Sequence, residues 1–229
     1  MNITLIRFSL VVVMINFLAC NSNYTSKKKG YFKINLPEHQ YQKFDNPSFP
    51  YSFEYPVYAS ILQDSTYFDS TPENNFWINV DFPDYKARLF MSYKIIGGLA
   101  PFKLKQKDGT YKDSLGVNKF DLMVNDAFNL TNKNDVIASA ITDSLMMTNN
   151  GISGIYFKVA GNAATANQFF LSDTTRNFIR GALYFDATPN ADSLKPVQEF
   201  LKQDIEHLIN TFKWSSSSVP HLPLKPSTT

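Results

Sequence analysis

The sequence predicts an α+β domain. Its sheet is mainly antiparallel with about six strands, a helix follows the first strand pair, and a long helix lies at the C-terminal end. Three observations predict this. Apolar residues alternate with others through 75–83 and 86–95, the period of a half-buried strand. Four more apolar runs, at about 135–147, 152–160, 166–172 and 176–186, are separated by turn signals and read as a meander. Leu194, Val197, Leu201, Ile205, Leu208 and Phe212 step by threes and fours, as on a helix with one buried stripe.

The elements follow in order. Residues 30–60 are rich in aromatics, and Pro37, Pro50 and Pro56 disfavour helix there. Phe49, Tyr51, Phe53 and Tyr55 recur at period two, which predicts an extended arm ending in an edge strand with one aromatic face. That face is read as core in preference to a platform for glycan or peptidoglycan. Phe76, Ile78, Val80 and Phe82 share one face of the next strand, and Ala87, Leu89, Met91, Tyr93 and Ile95 share a face of its neighbour. The short link at Asp84-Tyr85 makes the pair a hairpin.

Residues 97–116 place Lys103, Lys105, Lys107 and Lys112 around the turn signal Asp108-Gly109. This predicts an exposed β-excursion, solvated in preference to meeting an anionic partner. Val117, Phe120, Val124, Ala127 and Phe128 have helical spacing. Turns are expected at Asn149-Asn150-Gly151, Gly161-Asn162-Ala163-Ala164 and Ser172-Asp173-Thr174-Thr175. In the last helix Ser193 is the expected N-cap and Pro196 is placed in the first turn. Lys202, Asp204, Glu206 and His207 are placed on its polar face, and Trp214 closes it. One domain is expected over 31–214, with a Ser- and Pro-rich disordered tail over 215–229.

The N-terminus is read as a processing signal over 1–19. Arg7 precedes the apolar run Phe8–Leu18, which is too short for a comfortable membrane span and ends at Ala19-Cys20. Phe17-Leu18-Ala19-Cys20 resembles a bacterial lipobox, with Phe17 where leucine is usual. Cleavage before Cys20 and lipidation of its sulfur are expected, in preference to an uncleaved anchor with an inert cysteine. Each buried CH₂ contributes about 0.8 kcal/mol, so two or three acyl chains bind a bilayer essentially permanently. Residues 20–30 form a polar, lipid-anchored tether. Its Lys27-Lys28-Lys29 reads equally as a contact for anionic headgroups and as a solubilising linker.

Chemistry-bearing patterns are few. Lys and Arg number 22 against 20 Asp and Glu, a net charge of +2, which gives no field for nucleic acid. His39, His207 and His221 have no metal-ligand spacing, and the one cysteine cannot build a zinc site alone. There is no Gly-x-Ser-x-Gly, phosphate-loop or dinucleotide pattern. No catalytic residue, metal or cofactor is therefore assigned. Gly161–Ala164 reads equally as a tight turn and as a small polar pocket. Arg176, Phe178 and Arg180 alternate, which would put two arginines on one strand face. With Asn162, Arg176 and Arg180 make a candidate interaction surface, weighed against ordinary surface ion pairs.

The chain resembles the gliding-motility lipoprotein GldD family of Bacteroidota. Gly30-Tyr31-Phe32-Lys33-Ile34-Asn35-Leu36-Pro37-Glu38, Pro50–Ala59 and Phe76-Trp77-Ile78-Asn79 carry the resemblance. It continues through Gly161–Ala164, Gln168–Asp173, Arg180–Phe185 and the helix ending Phe212-Lys213-Trp214. It covers nearly all of 30–214, and the Lys-rich stretch 97–116 is longer than the family pattern. The element order also resembles a PsbP-like arrangement.

The resemblance implies a non-enzymatic envelope component tied to the type IX secretion apparatus. Its partners would be a membrane, through lipid on Cys20, and other gliding or secretion proteins. The competing class is an envelope enzyme or glycan binder using the Gly161–Ala164 pocket. The tether lacks the acidic cluster that resembles a surface-display signal in Bacteroidota lipoproteins, which favours the periplasmic side. Asp-Ser/Thr steps resemble the O-glycosylation motif of exported proteins of that group. Ser65, Ser70 and Ser114 are the reachable ones, and turn and cap chemistry is the alternative.

Overall fold

The computed structural model describes residues 34–63, 72–133, 138–163, 165–186 and 191–215. The expected export signal over 1–19, Cys20, the expected tether over 20–30, Ser65, Ser70, Ala164 and the residues after 215 lie outside the described residues. The chain divides after Asn35, and the fold starts at Leu36.

The elements are β1 (Tyr41–Phe44), β2 (Tyr51–Pro56), β3 (Ser60–Gln63), β4 (Ile78–Phe82), β5 (Ala87–Ile95), β6 (Leu99–Lys105) and β7 (Tyr111–Val117). Then come helix α1 (Phe120–Asn132), β8 (Ala138–Met147), β9 (Ser153–Gly161), β10 (Asn167–Ser172), β11 (Asn177–Phe185), helix α2 (Ala191–Thr211) and β12 (Lys213–Trp214). The main sheet has seven strands in the order β3-β4-β5-β11-β10-β9-β8. Every pairing in it is antiparallel. A second sheet is β1-β2-β12, and β6-β7 is a hairpin of its own. The α+β reading holds, with seven main-sheet strands in place of about six because β3 joins its edge.

Alternation sorts the main sheet into two faces. On the first, Ile78, Val80, Leu89, Met91, Leu171, Ile179 and Leu183 pack against Leu201, Ile205, Leu208 and Phe212 from the C-terminal segment. Fully burying one such side chain contributes about 1.5–3 kcal/mol, and this layer is the larger of the two apolar cores. Gly181 faces Phe169 across β11 and β10, and the fully buried ring occupies the space a Cβ at 181 would need. On the second face, Phe157, Phe170 and Phe178 receive Met123 and Ala127 of α1.

Several local expectations are corrected. The aromatic strand is not an edge: β2 is the middle strand of its sheet, paired with β1 and with β12. Its aromatic face is core and no platform, since Tyr51 and Phe53 are fully buried and Phe53 stacks on Phe212 at 6.3 Å. Val117 belongs to β7, and α1 begins only at Phe120. Helix α2 begins at Ala191, so Ser193 lies inside it and Pro196 beyond its first turn. Trp214 extends β12 beside Tyr51 and does not cap the helix.

The β10–β11 turn is built around Asp173. Its Oδ1 accepts N–H bonds from Thr175 (3.0 Å), Arg176 (2.8 Å) and Asn177 (2.8 Å), and its Oδ2 accepts from the Asn177 amide at 2.6 Å. Burial opposes the charge of Asp173. These donors outweigh it and hold the carboxyl below its ordinary value. The Tyr93 hydroxyl donates to Asn177 Oδ1 at 2.6 Å, which ties the turn to β5.

Candidate functional site

Helix α1 is 13 residues long and covers only the β9–β10–β11 part of the second face. The part over β4 and β5 stays open as a cleft of about 740 Å³. Trp77, Asn79, Phe90 and Lys94 come from the β4–β5 side, Arg180 and Tyr184 from β11, Asp126 and Leu130 from α1, and Lys133 from just beyond its C-terminal end. Alternation places these strand residues together, because Asn79 pairs with Phe90, Phe90 with Ala182, and Ser92 with Arg180.

Both cations of the floor are held by neighbours. The Arg180 guanidinium donates to Gln168 Oε1. The Gln168 amide donates to Thr165 Oγ1 at 2.8 Å, and the Thr131 hydroxyl lies 3.3 Å from Gln168 Oε1. Gln168, Thr131 and Thr165 are buried, so this relay fixes the arginine from beneath. Lys94 Nζ lies 2.5 Å from Glu73 Oε1, and Glu73 Oε2 accepts from the Asn118 amide at 3.0 Å. The walls are aromatic, with Phe90 edge-on to Tyr184 at 5.5 Å and the Arg88 guanidinium 5.8 Å above the Phe90 ring. Fixed cations beside aromatic walls suit recognition of a ligand. Among the described residues no group of three or more His, Cys, Asp or Glu is placed to hold a metal.

The candidate residues separate. Arg180 lines the cleft, and Arg176 does not. The Asp173 turn takes Arg176 out of the strand, and its charge instead acts on the Tyr93 hydroxyl of the first face. Asn162 is exposed in the β9–β10 connection, after Gly161 at φ +96°. The cleft touches that connection through Thr165. Ser114 is partly buried in β7 opposite Phe102.

A second constellation was not anticipated. Asp204 is 1% exposed, in the middle of α2. Its Oδ1 lies 2.7 Å from His39 Nδ1 and accepts from the Tyr41 hydroxyl at 3.2 Å, while its Oδ2 accepts from Tyr58. His39 stacks on Phe200 at 4.4 Å, Tyr41 on His207 at 3.5 Å, and His207 Nε2 reaches Glu54 Oε2 at 2.7 Å. Burial, then the charge and hydrogen bond of Asp204, push the Tyr41 hydroxyl up to about 12. Burial and the Asp204 hydrogen bond raise Tyr58 further. The cluster binds the segment 39–58 to α2. Asp204 was expected on the polar face, and the spacing corrects this: it is three residues from Leu201 and four from Leu208, inside the apolar stripe.

The chain matches the family model described as gliding motility lipoprotein GldD over residues 21–214. No curated protein matches it significantly. Among solved structures it is similar to the solution structure of cyanobacterial PsbP (CyanoP) from Synechocystis sp. PCC 6803. That likeness has a TM-score of 0.39 and 10% identity, covering 81% of this chain and 98% of that chain.

Proposed function

We propose, from the premise that this chain belongs to the family of gliding motility lipoproteins GldD, that it supports assembly or stability of the gliding and type IX secretion apparatus through protein contacts. On this reading Cys20 carries the lipid, the folded part faces the periplasm, and the protein is a tethered scaffold without catalysis of its own.

One observation carries the contact reading. Strand β8 is one of the two outer strands of the main sheet and, at ten residues, far longer than β3 at the other edge, which has four. It has one charged residue, Asp143, and no Lys or Pro. Natural edges are usually blunted by lysine, proline, a bulge or shortness; β8 has a register irregularity at Ala138–Ala140 and pairs regularly from Ala140 to Met147. Leu145 is 88% exposed on it and Met147 73%. The occupant that satisfies the main-chain groups of such an edge is an extended strand of another protein. The cleft favours a second reading, an envelope glycan binder, because aromatic walls and a fixed arginine suit sugars bearing carboxylates.

Deletion should abolish both gliding and the export of adhesins by the type IX secretion apparatus, and unchanged export and motility would contradict the proposal. Cys20→Ala should move the protein out of the membrane fraction. The native protein should weigh more than residues 20–229 by its acyl groups, and an unmodified intact mass would exclude lipidation.

A further inference from the structure

We propose that the β6–β7 hairpin is a second membrane contact, dipping into the interface of an anionic bilayer in addition to the lipid anchor. The hairpin belongs to neither larger sheet. Its strands are seven residues each, which gives a finger about 24 Å long. A free two-stranded hairpin is marginal in water. Yet this one exposes Leu115 (70%), Tyr111 (64%), Leu104 (49%) and Phe102 (44%).

The register favours a lipid occupant. Tyr111 and Leu115 lie opposite Lys105 and Pro101, on one face of the hairpin. Phe102 and Leu104 lie opposite Ser114 and Lys112, on the other. Apolar side chains exposed on both faces suit a lipid interface, which surrounds a finger that enters it.

The charge pattern points the same way. Lys103, Lys105, Lys107 and Lys112 oppose Asp108 and Asp113 within 99–117, a local net charge of 4 − 2 = +2. Asp108 is engaged in its own turn, where its Oδ1 accepts from the Thr110 N–H at 2.9 Å and the Thr110 hydroxyl at 2.7 Å. Lysines interleaved with aromatic and aliphatic side chains suit the headgroup boundary, where stems lie on apolar matter and ammonium groups meet phosphates. Residues 21–35 between Cys20 and Leu36 can span up to about 50 Å, so an anchored domain can bring the hairpin to the surface.

The inference rests on the anchored reading, and the experiment separates the two. Cys20 is the sole cysteine, so once it is acylated an introduced cysteine is the only free thiol. The full mature lipidated chain, as L104C or as L145C, is labelled with an environment-sensitive dye. It is then placed in vesicles of phosphatidylglycerol and phosphatidylethanolamine carrying a nitroxide lipid quencher. The dye at 104 should shift to the blue and be quenched, and the dye at 145 on β8 should stay water-like. Adding K103E, K105E and K107E, or using phosphatidylcholine vesicles, should abolish the difference. A chain that floats with the vesicles but leaves 104 as wet as 145 overturns the hairpin contact and leaves the anchor standing. A chain that does not float overturns both. Burial of the dye only after envelope proteins are added would assign the hairpin to a protein partner and also overturn the proposal.

Discussion

Gly154→Ala is expected to destabilise the protein by about 3 kcal/mol, the upper end for overpacking. Gly154 lies in β9 between Leu171 of β10 and Met146 of β8. A Cβ there would fall far inside contact distance of the Phe170 carbonyl oxygen, 2.9 Å from Leu171 Cδ2 and 3.1 Å from Met146 Cε. The carbonyl cannot swing away, because Phe170 pairs with Ile155 on one side and Arg180 on the other. Relief therefore means moving β10, the strand that also carries Gln168 beneath Arg180. A domain of this size loses about 2–4 °C of Tm per kcal/mol, so thermal unfolding by circular dichroism should shift down by about 6–12 °C. Gly181→Ala should cost less, since the Cβ meets the Phe169 ring, a side chain, and not backbone. An unchanged Tm for Gly154→Ala would mean that β9 and β10 lie farther apart than described.

Asp204→Ala is expected to cost a similar amount, about 3 kcal/mol, because hydrogen bonds to a charged group contribute about 1.5–3 kcal/mol each and are not additive. His39, Tyr41 and Tyr58 lose their acceptor together. Their partial exposure lets water replace part of the loss. Asp204→Asn separates charge from shape and carries a pH signature. Tyr41 stands at about 12 in the folded protein against about 10 in an unfolded chain. A raised value means that folding favours the protonated hydroxyl. That contribution is whole below pH 10 and is lost as the pH rises through about 12. Stability should therefore fall across pH 10–12 in the native protein, and less steeply in Asp204→Asn. Some slope should persist, because burial raises Tyr93 to about 12 as well. Identical alkaline curves for the two proteins would contradict the Asp204 cluster.

What could be read from the sequence was what periodicity encodes. The β4–β5 hairpin and α2 are strongly periodic, and both fall close to their expected places. Strands β1, β3 and β12 have four, four and two residues, too few for a period to stand out. Asp204 was assigned to the wrong face because Lys202, Glu206 and His207 surround it in sequence, while the 3.6-residue turn places it with Leu201 and Leu208. Alternation finds Arg180 and misplaces Arg176, because the Asp173 turn delays the start of the strand to Asn177, one residue later than alternation implies. The cleft is legible nowhere in the chain. It exists because α1 is too short to cover the second face, a property of packing between elements far apart in sequence. Gln168, Thr131 and Thr165 come from β10, α1 and the β9–β10 connection, and their meeting is likewise tertiary.

In the proposed function the lipid on Cys20 holds a contact surface in place, and β8, terminal in the strand order of the main sheet, is that surface. The most direct test is an allele at the native locus carrying L145K and M147K, two changes at exposed positions that leave the core untouched. The predicted result is normal protein level and membrane association together with loss of colony spreading and adhesin export. Normal spreading and export from a cell whose β8 edge carries both lysines would contradict the account.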